Sequence, residues 1–162
     1  MKSKNKLITM CVVCVLSVIG MILTLTFGGK KQKTPEFTPP PFEVSAQNGI
    51  PDVRDNSWTK IYQDGMSFTA YICGRVNVND MCADLYFTNI AENTVWLKLR
   101  ISDGKDNILS ETGLIRPGEY VKSVRFIHVP SAGSDIKLKI MAYEADTYYS
   151  AGAVSLNTTL GF

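Results

Sequence analysis

Histidine is almost missing from these 162 residues: His128 stands alone. One imidazole cannot build a multi-histidine metal centre or supply a second proton shuttle. Cysteine is sparse as well. Cys11, Cys14, Cys73 and Cys82 are too few for a disulfide-dense mini-protein. Glycine (12 residues) and proline (7) are unremarkable, and 45% of the residues are hydrophobic, which excludes a collagen-like or wholly disordered chain. The sequence has no phosphate-cradling P-loop, no G-x-S-x-G elbow, no H-E-x-x-H and no paired metal-ligand spacing. No catalytic residue, metal or cofactor is therefore expected. Acid is missing from the first 33 residues, which carry Lys2, Lys4, Lys6, Lys30, Lys31 and Lys33.

What is present divides sharply. Residues 34–162 hold 11 basic and 15 acidic side chains, a net of −4, so the formal +2 of the whole chain averages two unlike pieces. The excess lysine flanks an apolar run rather than lining a groove, so nucleic acid is not an expected partner. That run, residues 7–27, has no charge and no proline. As a helix it spans about 30 Å, the thickness of a bilayer core. The membrane is thus the first expected partner. A basic tail (1–6) and a membrane helix (7–27) follow. A cleaved signal peptide would have a shorter apolar stretch and a small-residue cleavage site. Thr26-Phe27-Gly28 is a poor such site, so the expectation is an uncleaved single-pass anchor with its N-terminus cytoplasmic and the acidic body extracellular. Cys11 and Cys14 form a C-x-x-C inside this run, where a thiolate is disfavoured, and read as packing residues.

Residues 28–52 read as a stalk, first Lys-rich and then Pro-rich. Pro35, Pro39, Pro40, Pro41 and Pro51 favour a semi-rigid polyproline spacer. A plain spacer needs no aromatics, so Phe37 and Phe42 suggest either a strap tucked onto the following domain or a proline-rich docking site.

From residue 53 to 162 the pattern turns to strands. Phe68, Ala70, Ile72, Gly74, Val76 and Val78 alternate with polar neighbours, as do Ala83, Leu85, Phe87 and then Val95, Leu97, Leu99, Ile101. Asp103-Gly104, Pro117-Gly118 and Ala132-Gly133 punctuate the later stretches. The fold class expected is all-β, an immunoglobulin-like antiparallel sandwich of seven or eight strands at roughly ten-residue spacing, preceded by one transmembrane helix. Asp103–Asn107 reads as a hairpin turn; it lacks the acidic twelfth position of a calcium loop. Cys73 and Cys82 flank a turn near residues 76–80 and are candidates for a disulfide. A turn centred on Asn77-Val78 opposes them, whereas one centred on Asn79-Asp80 leaves them about four residues apart along the ladder.

The runs Tyr86-Phe87-Thr88-Asn89, Val95–Ile101 and Ile108–Val121, with its Gly113-Leu114-Ile115-Arg116-Pro117-Gly118-Glu119 corner, resemble small membrane-anchored bacterial proteins with a single β-sandwich domain. The resemblance covers roughly residues 66–160 and implies fold and topology, with no established activity to carry over. Pro117 and Gly118 read as a structural turn, since proline fixes φ and glycine permits the reversal.

The functional expectation is a non-enzymatic, membrane-anchored interaction module that binds a protein partner in a cell-envelope assembly. The alternative is glycan or cell-wall binding through Tyr71, Tyr86 and Trp96, which alternate to the non-core side of their strands. A hydrolase with an unrecognised site is the third reading.

Overall fold

The computed structural model describes residues 2–27, 37–53, 58–61, 66–73 and 76–161. Gly28, Lys30, Lys31, Lys33, Pro35 and Gly74, each part of an expectation above, lie outside the described residues. The chain divides into two compact units, Met1–Thr38 and Pro39–Phe162.

The first unit holds helix α1, Lys2–Phe27. Its stretch Lys4–Ile22 is predominantly apolar. Ile8, Val12, Val15, Leu16 and Ile19 are all exposed, so the apolar surface is not gathered onto one hidden face. Ser17 donates its hydroxyl proton to the Cys14 carbonyl, 2.8 Å away, which satisfies that hydroxyl within the helix. By length and composition α1 is able to cross a membrane, a test that a signal sequence also meets.

The second unit is mostly β. Its strands are β1 (Gln47–Asn48), β2 (Trp58–Ile61), β3 (Ala70–Cys73), β4 (Val76–Asn79), β5 (Cys82–Asn89), β6 (Val95–Asp103), β7 (Ile108–Glu111), β8 (Glu119–Arg125), β9 (Asp135–Glu144) and β10 (Ser150–Gly161). They form one continuous sheet in the order β1-β8-β5-β4-β10-β9-β6-β7, with β2 and β3 attached beside β5. The sheet curls into a half-barrel. Among the described residues ten strands replace the seven or eight expected, for two reasons. The single strand anticipated over 67–78 is two pieces lying end to end along β5: Tyr71 pairs with Thr88, while Val78 pairs with Ala83. In addition, β1 lies within the segment read as a stalk.

The sheet is not purely antiparallel, which corrects the sequence expectation. Strand β10 pairs antiparallel with β9 as far as Thr159↔Asp135. There β9 begins, and the two residues of β10 beyond it, Leu160 and Gly161, pair parallel with Val76 and Asn77 of β4. This junction joins the two halves of the curled sheet.

The core lies between those halves. Ile72, Leu85, Phe87, Leu97, Leu99, Ile101, Leu138 and Ile140 are all essentially inaccessible, and their alternation matches the period of two read from the sequence. Each such side chain contributes about 1.5–3 kcal/mol of burial.

The hairpin between β4 and β5 turns at Asp80 and Met81, with Asn79 opposite Cys82. Both turn residues are left-handed, at φ 47° and 64°, the geometry of a two-residue hairpin turn. The turn is thus centred one residue beyond the later of the two expected positions. Cys73 sits on β3 opposite Trp58, and Cys82 sits opposite Arg125 on β8. The candidate disulfide between them is not formed.

Candidate functional site

Five separate stretches of the second unit meet in one groove of about 460 Å³. Trp58 and Tyr71, cross-strand neighbours on β2 and β3, stack at 4.6 Å and 24° and form one wall. The Trp58 indole N–H donates to the Tyr86 carbonyl at 3.2 Å, which fixes the ring's orientation. Ile50 and Ile90 supply further apolar lining, and Glu92 is the one ionisable acid in it. Gly49 and Gly118 form part of the lining, tied by a Gly49 N–H to Gly118 carbonyl bond of 2.8 Å. A mostly apolar cavity of this size with few polar groups has the character of a binding site for a side chain or small molecule.

Beside the groove runs the segment 41–49, which is strapped onto the domain. Leu114 donates its N–H to the Pro41 carbonyl, and Glu43 donates its N–H to the Leu114 carbonyl, each at 2.9 Å. β1 then pairs with the outer edge of β8, Gln47 opposite Tyr120. The strap therefore covers a backbone edge on each half of the sheet, which blunts both as templates for unwanted pairing. Phe42 anchors it. Its ring meets the edge of Trp96 at 4.9 Å, and the Arg116 guanidinium lies 3.6 Å from its centroid. Of the two stalk aromatics, Phe42 is half-buried in this way and Phe37 is exposed. The spacer reading of 28–52 thus gives way, over 41–49, to a docked strap.

The three aromatics singled out from the sequence do not share a face. Tyr71 stacks on Trp58. Tyr86 sits in a bulge of β5 at φ 48°, half-buried, its carbonyl accepting from both Trp58 and the Thr88 hydroxyl. Trp96 lies on β6, held between Phe42 and Tyr148, whose ring centroid is 5.1 Å away. No aromatic pair among the described residues joins two of the three. The groove brings in Trp58, Ile50, Ile90 and Glu92, which the sequence pattern did not mark.

Pro117 and Gly118 carry the chain from Ile115, bonded to Leu97 on β6, to the start of β8. Gly118, at φ 81°, occupies the third position of the Arg116–Glu119 turn, where a left-handed residue is required. The Arg116 N–H donates to the Glu119 carboxylate at 2.7 Å, and the Gly118 N–H donates to the Asn89 carbonyl at 2.8 Å.

Electrostatics reinforce the strap. Partial burial pushes the Glu43 carboxyl up. Hydrogen bonds from the Ser45 hydroxyl and from the Gly113 and Ser45 N–H groups outweigh this and hold it below the ordinary glutamate value. Such a depressed carboxylate contributes stability that is fully present above its unfolded pKa of about 4.3 and is lost as pH falls through its folded value. Glu43→Gln should therefore lower the melting midpoint at pH 7, with the difference from wild type shrinking as the pH drops from 5 toward 3. A difference independent of pH would show that the charge plays no part. Asp103 is held low by the Asn107 side-chain N–H and by the Asn107 and Lys105 backbone N–H groups, so the 103–107 loop is a self-bonded hairpin turn.

No protein-family model matches the chain, and no curated protein matches it either.

Proposed function

We propose that this chain is a non-enzymatic interaction module. Its helix α1 anchors it in a cell membrane, N-terminus inside, and its β domain meets a protein partner outside the cell in an envelope assembly. The observation that carries the binding role is the Trp58–Tyr71 groove, an apolar slot with one acidic group, Glu92, in its lining. It suits an apolar side chain next to a basic residue on the partner. An immunoglobulin-like arrangement fits the strand order: β3, β4, β5 and β8 on one side, β7, β6, β9 and β10 on the other, with β4 paired to both β5 and β10. The same reading keeps the likeness to small membrane-anchored bacterial sandwich proteins. A glycan platform built from Tyr71, Tyr86 and Trp96 is less favoured, because those rings stand apart and each is partly covered.

The test is mild crosslinking of the full chain in its own membrane, followed by recovery. Ile50 is 82% exposed on the groove rim, so Ile50→Lys should leave the fold intact while placing a cation against the partner's. Recovery of the partner should fall about tenfold or more. Recovery of no protein partner would sink the reading. For orientation, Ser131→Cys at an exposed turn should react with an impermeant maleimide on intact cells; labelling only after lysis would reverse the topology.

A further inference from the structure

A second surface, sharing no lining residue with the groove, breaks a rule of sheet design. On the outward face of β6 and β9, Arg100 stands directly opposite Lys139. Like charges facing each other across strands are destabilising. Lys137, two residues along on the same face, is about 7 Å from Lys139, and Lys98 flanks Arg100 in the same way. Two carboxylates answer these four cations. Glu111 takes Lys98 at 3.0 Å and also Arg100, and Asp106 takes Lys137 at 2.6 Å. Lys139 has no acidic partner among the described residues, although it is half-buried. Its other neighbour, β10, carries no ionisable side chain and places Ser155 opposite Lys139 and Asn157 opposite Lys137. Arg100, Lys137, Lys139, Ser102 and Ser155, with the Lys137-paired Asp106 and with Ile108, line a cavity of about 300 Å³. This concentration of positive charge is set in a body whose net charge is −4.

A like-charge pair kept on a strand face, next to a cavity and hydroxyl groups, is a local cost that a bound anion would repay. We infer that this face binds an acidic polysaccharide, with Lys139 receiving an oxyanion group and Arg100 and Lys137 flanking it. A polysaccharide suits the site better than a polypeptide. The neutral polar groups are Ser102 and Ser155 in the lining and Asn157 opposite Lys137, which match sugar hydroxyls; Ile108 is the single apolar lining residue, and the cavity has no aromatic anchor of the kind that dominates protein contacts. The proposal is independent of the protein-binding reading of the groove.

The test measures binding of the full chain, in nanodiscs of neutral lipid, to immobilised polygalacturonate, dextran and polyglutamate. Polygalacturonate should bind, more weakly at 200 than at 50 mM salt, as expected for screened charge, and dextran should not. Lys139→Gln should weaken binding about tenfold, the loss of a charge-assisted contact, while the melting midpoint stays level or rises as repulsion from Arg100 is relieved. Ser155→Glu, at an exposed position, supplies an internal acid opposite Lys139 and should weaken binding similarly. Unchanged binding by both variants, equal retention on dextran, or equal binding of polyglutamate would each overturn the inference.

Discussion

Replacing Gly113 with alanine should destabilise the domain by about 3 kcal/mol, at the upper end for forcing an extra carbon into a filled space. A Cβ at that position would lie 2.6 Å from the Glu43 nitrogen and 2.8 Å from both the Glu43 Cα and the Phe42 carbonyl carbon. All three are backbone atoms, so no flexible side-chain tip can move aside. The strap must lift, and what lifts with it is considerable. The Glu43–Leu114 and Leu114–Pro41 backbone bonds break, the Gly113 N–H loses the Glu43 carboxylate at 2.7 Å, and Phe42 leaves Trp96 and Arg116. Gly113 does not have a left-handed φ, so the penalty is steric and not conformational. Denaturant titration followed by tryptophan fluorescence would read both the stability loss and the altered surroundings of Trp96. Gly104→Ala is the matched control: nothing lies within 4 Å of its new Cβ, and its stability should stay within about 0.5 kcal/mol of wild type. Equal effects at the two glycines would remove the strap from the fold's energetics.

Asn89→Leu should cost about 3–5 kcal/mol although leucine is of similar size and more apolar. Asn89 is fully buried. Its side-chain amide donates to the Val95 carbonyl at 2.9 Å and the Ile115 carbonyl at 3.0 Å, and its oxygen accepts from the Asn93 amide at 2.6 Å. One side chain therefore ties the end of β5 to the start of β6 and to the segment before the Pro117 turn. Leucine takes away the side-chain donor to the Val95 carbonyl and the acceptor of the Asn93 amide, and leaves the Ile115 carbonyl with the Leu97 N–H alone; unmade buried bonds cost far more than a typical made bond contributes. Asn93→Ala should cost less, about 1–2 kcal/mol, because Asn93 is half-buried and its other partners, the Thr69 N–H and carbonyl, lie nearer solvent. A loss below about 1 kcal/mol for Asn89→Leu would mean that relaxation or water satisfies the stranded groups.

Much of the fold was legible because the strand signal is local. Val95, Leu97, Leu99 and Ile101 alternate in the sequence, and all four are buried with Trp96, Lys98 and Arg100 turned outward. The failures also have local causes. Tyr86 breaks the alternation of β5 with a left-handed φ that nothing about a tyrosine announces. The β4–β5 turn falls on Asp80-Met81, and methionine gives no turn cue, whereas Asn77 to Asp80 offers several. That one-residue difference decides what lies opposite Cys82. The strap was only half legible. Its prolines read as a spacer, and the aromatic Phe42 hinted otherwise, but the partner that accepts it, Gly113, lies 70 residues away in sequence. The groove was illegible for the same reason. It takes Ile50, Trp58, Tyr71, Ile90 and Gly118 from five stretches that only tertiary folding brings together.

The most direct test of the interaction role is site-specific photocrosslinking in intact cells, with the photoreactive residue at Ile90 in the groove or, as control, at the exposed Lys122 on β8. The groove reading predicts a discrete protein adduct from position 90 that is lost on Ile50→Lys, and no such adduct from position 122. The absence of any protein adduct at position 90, or the same adducts from both positions, would contradict it.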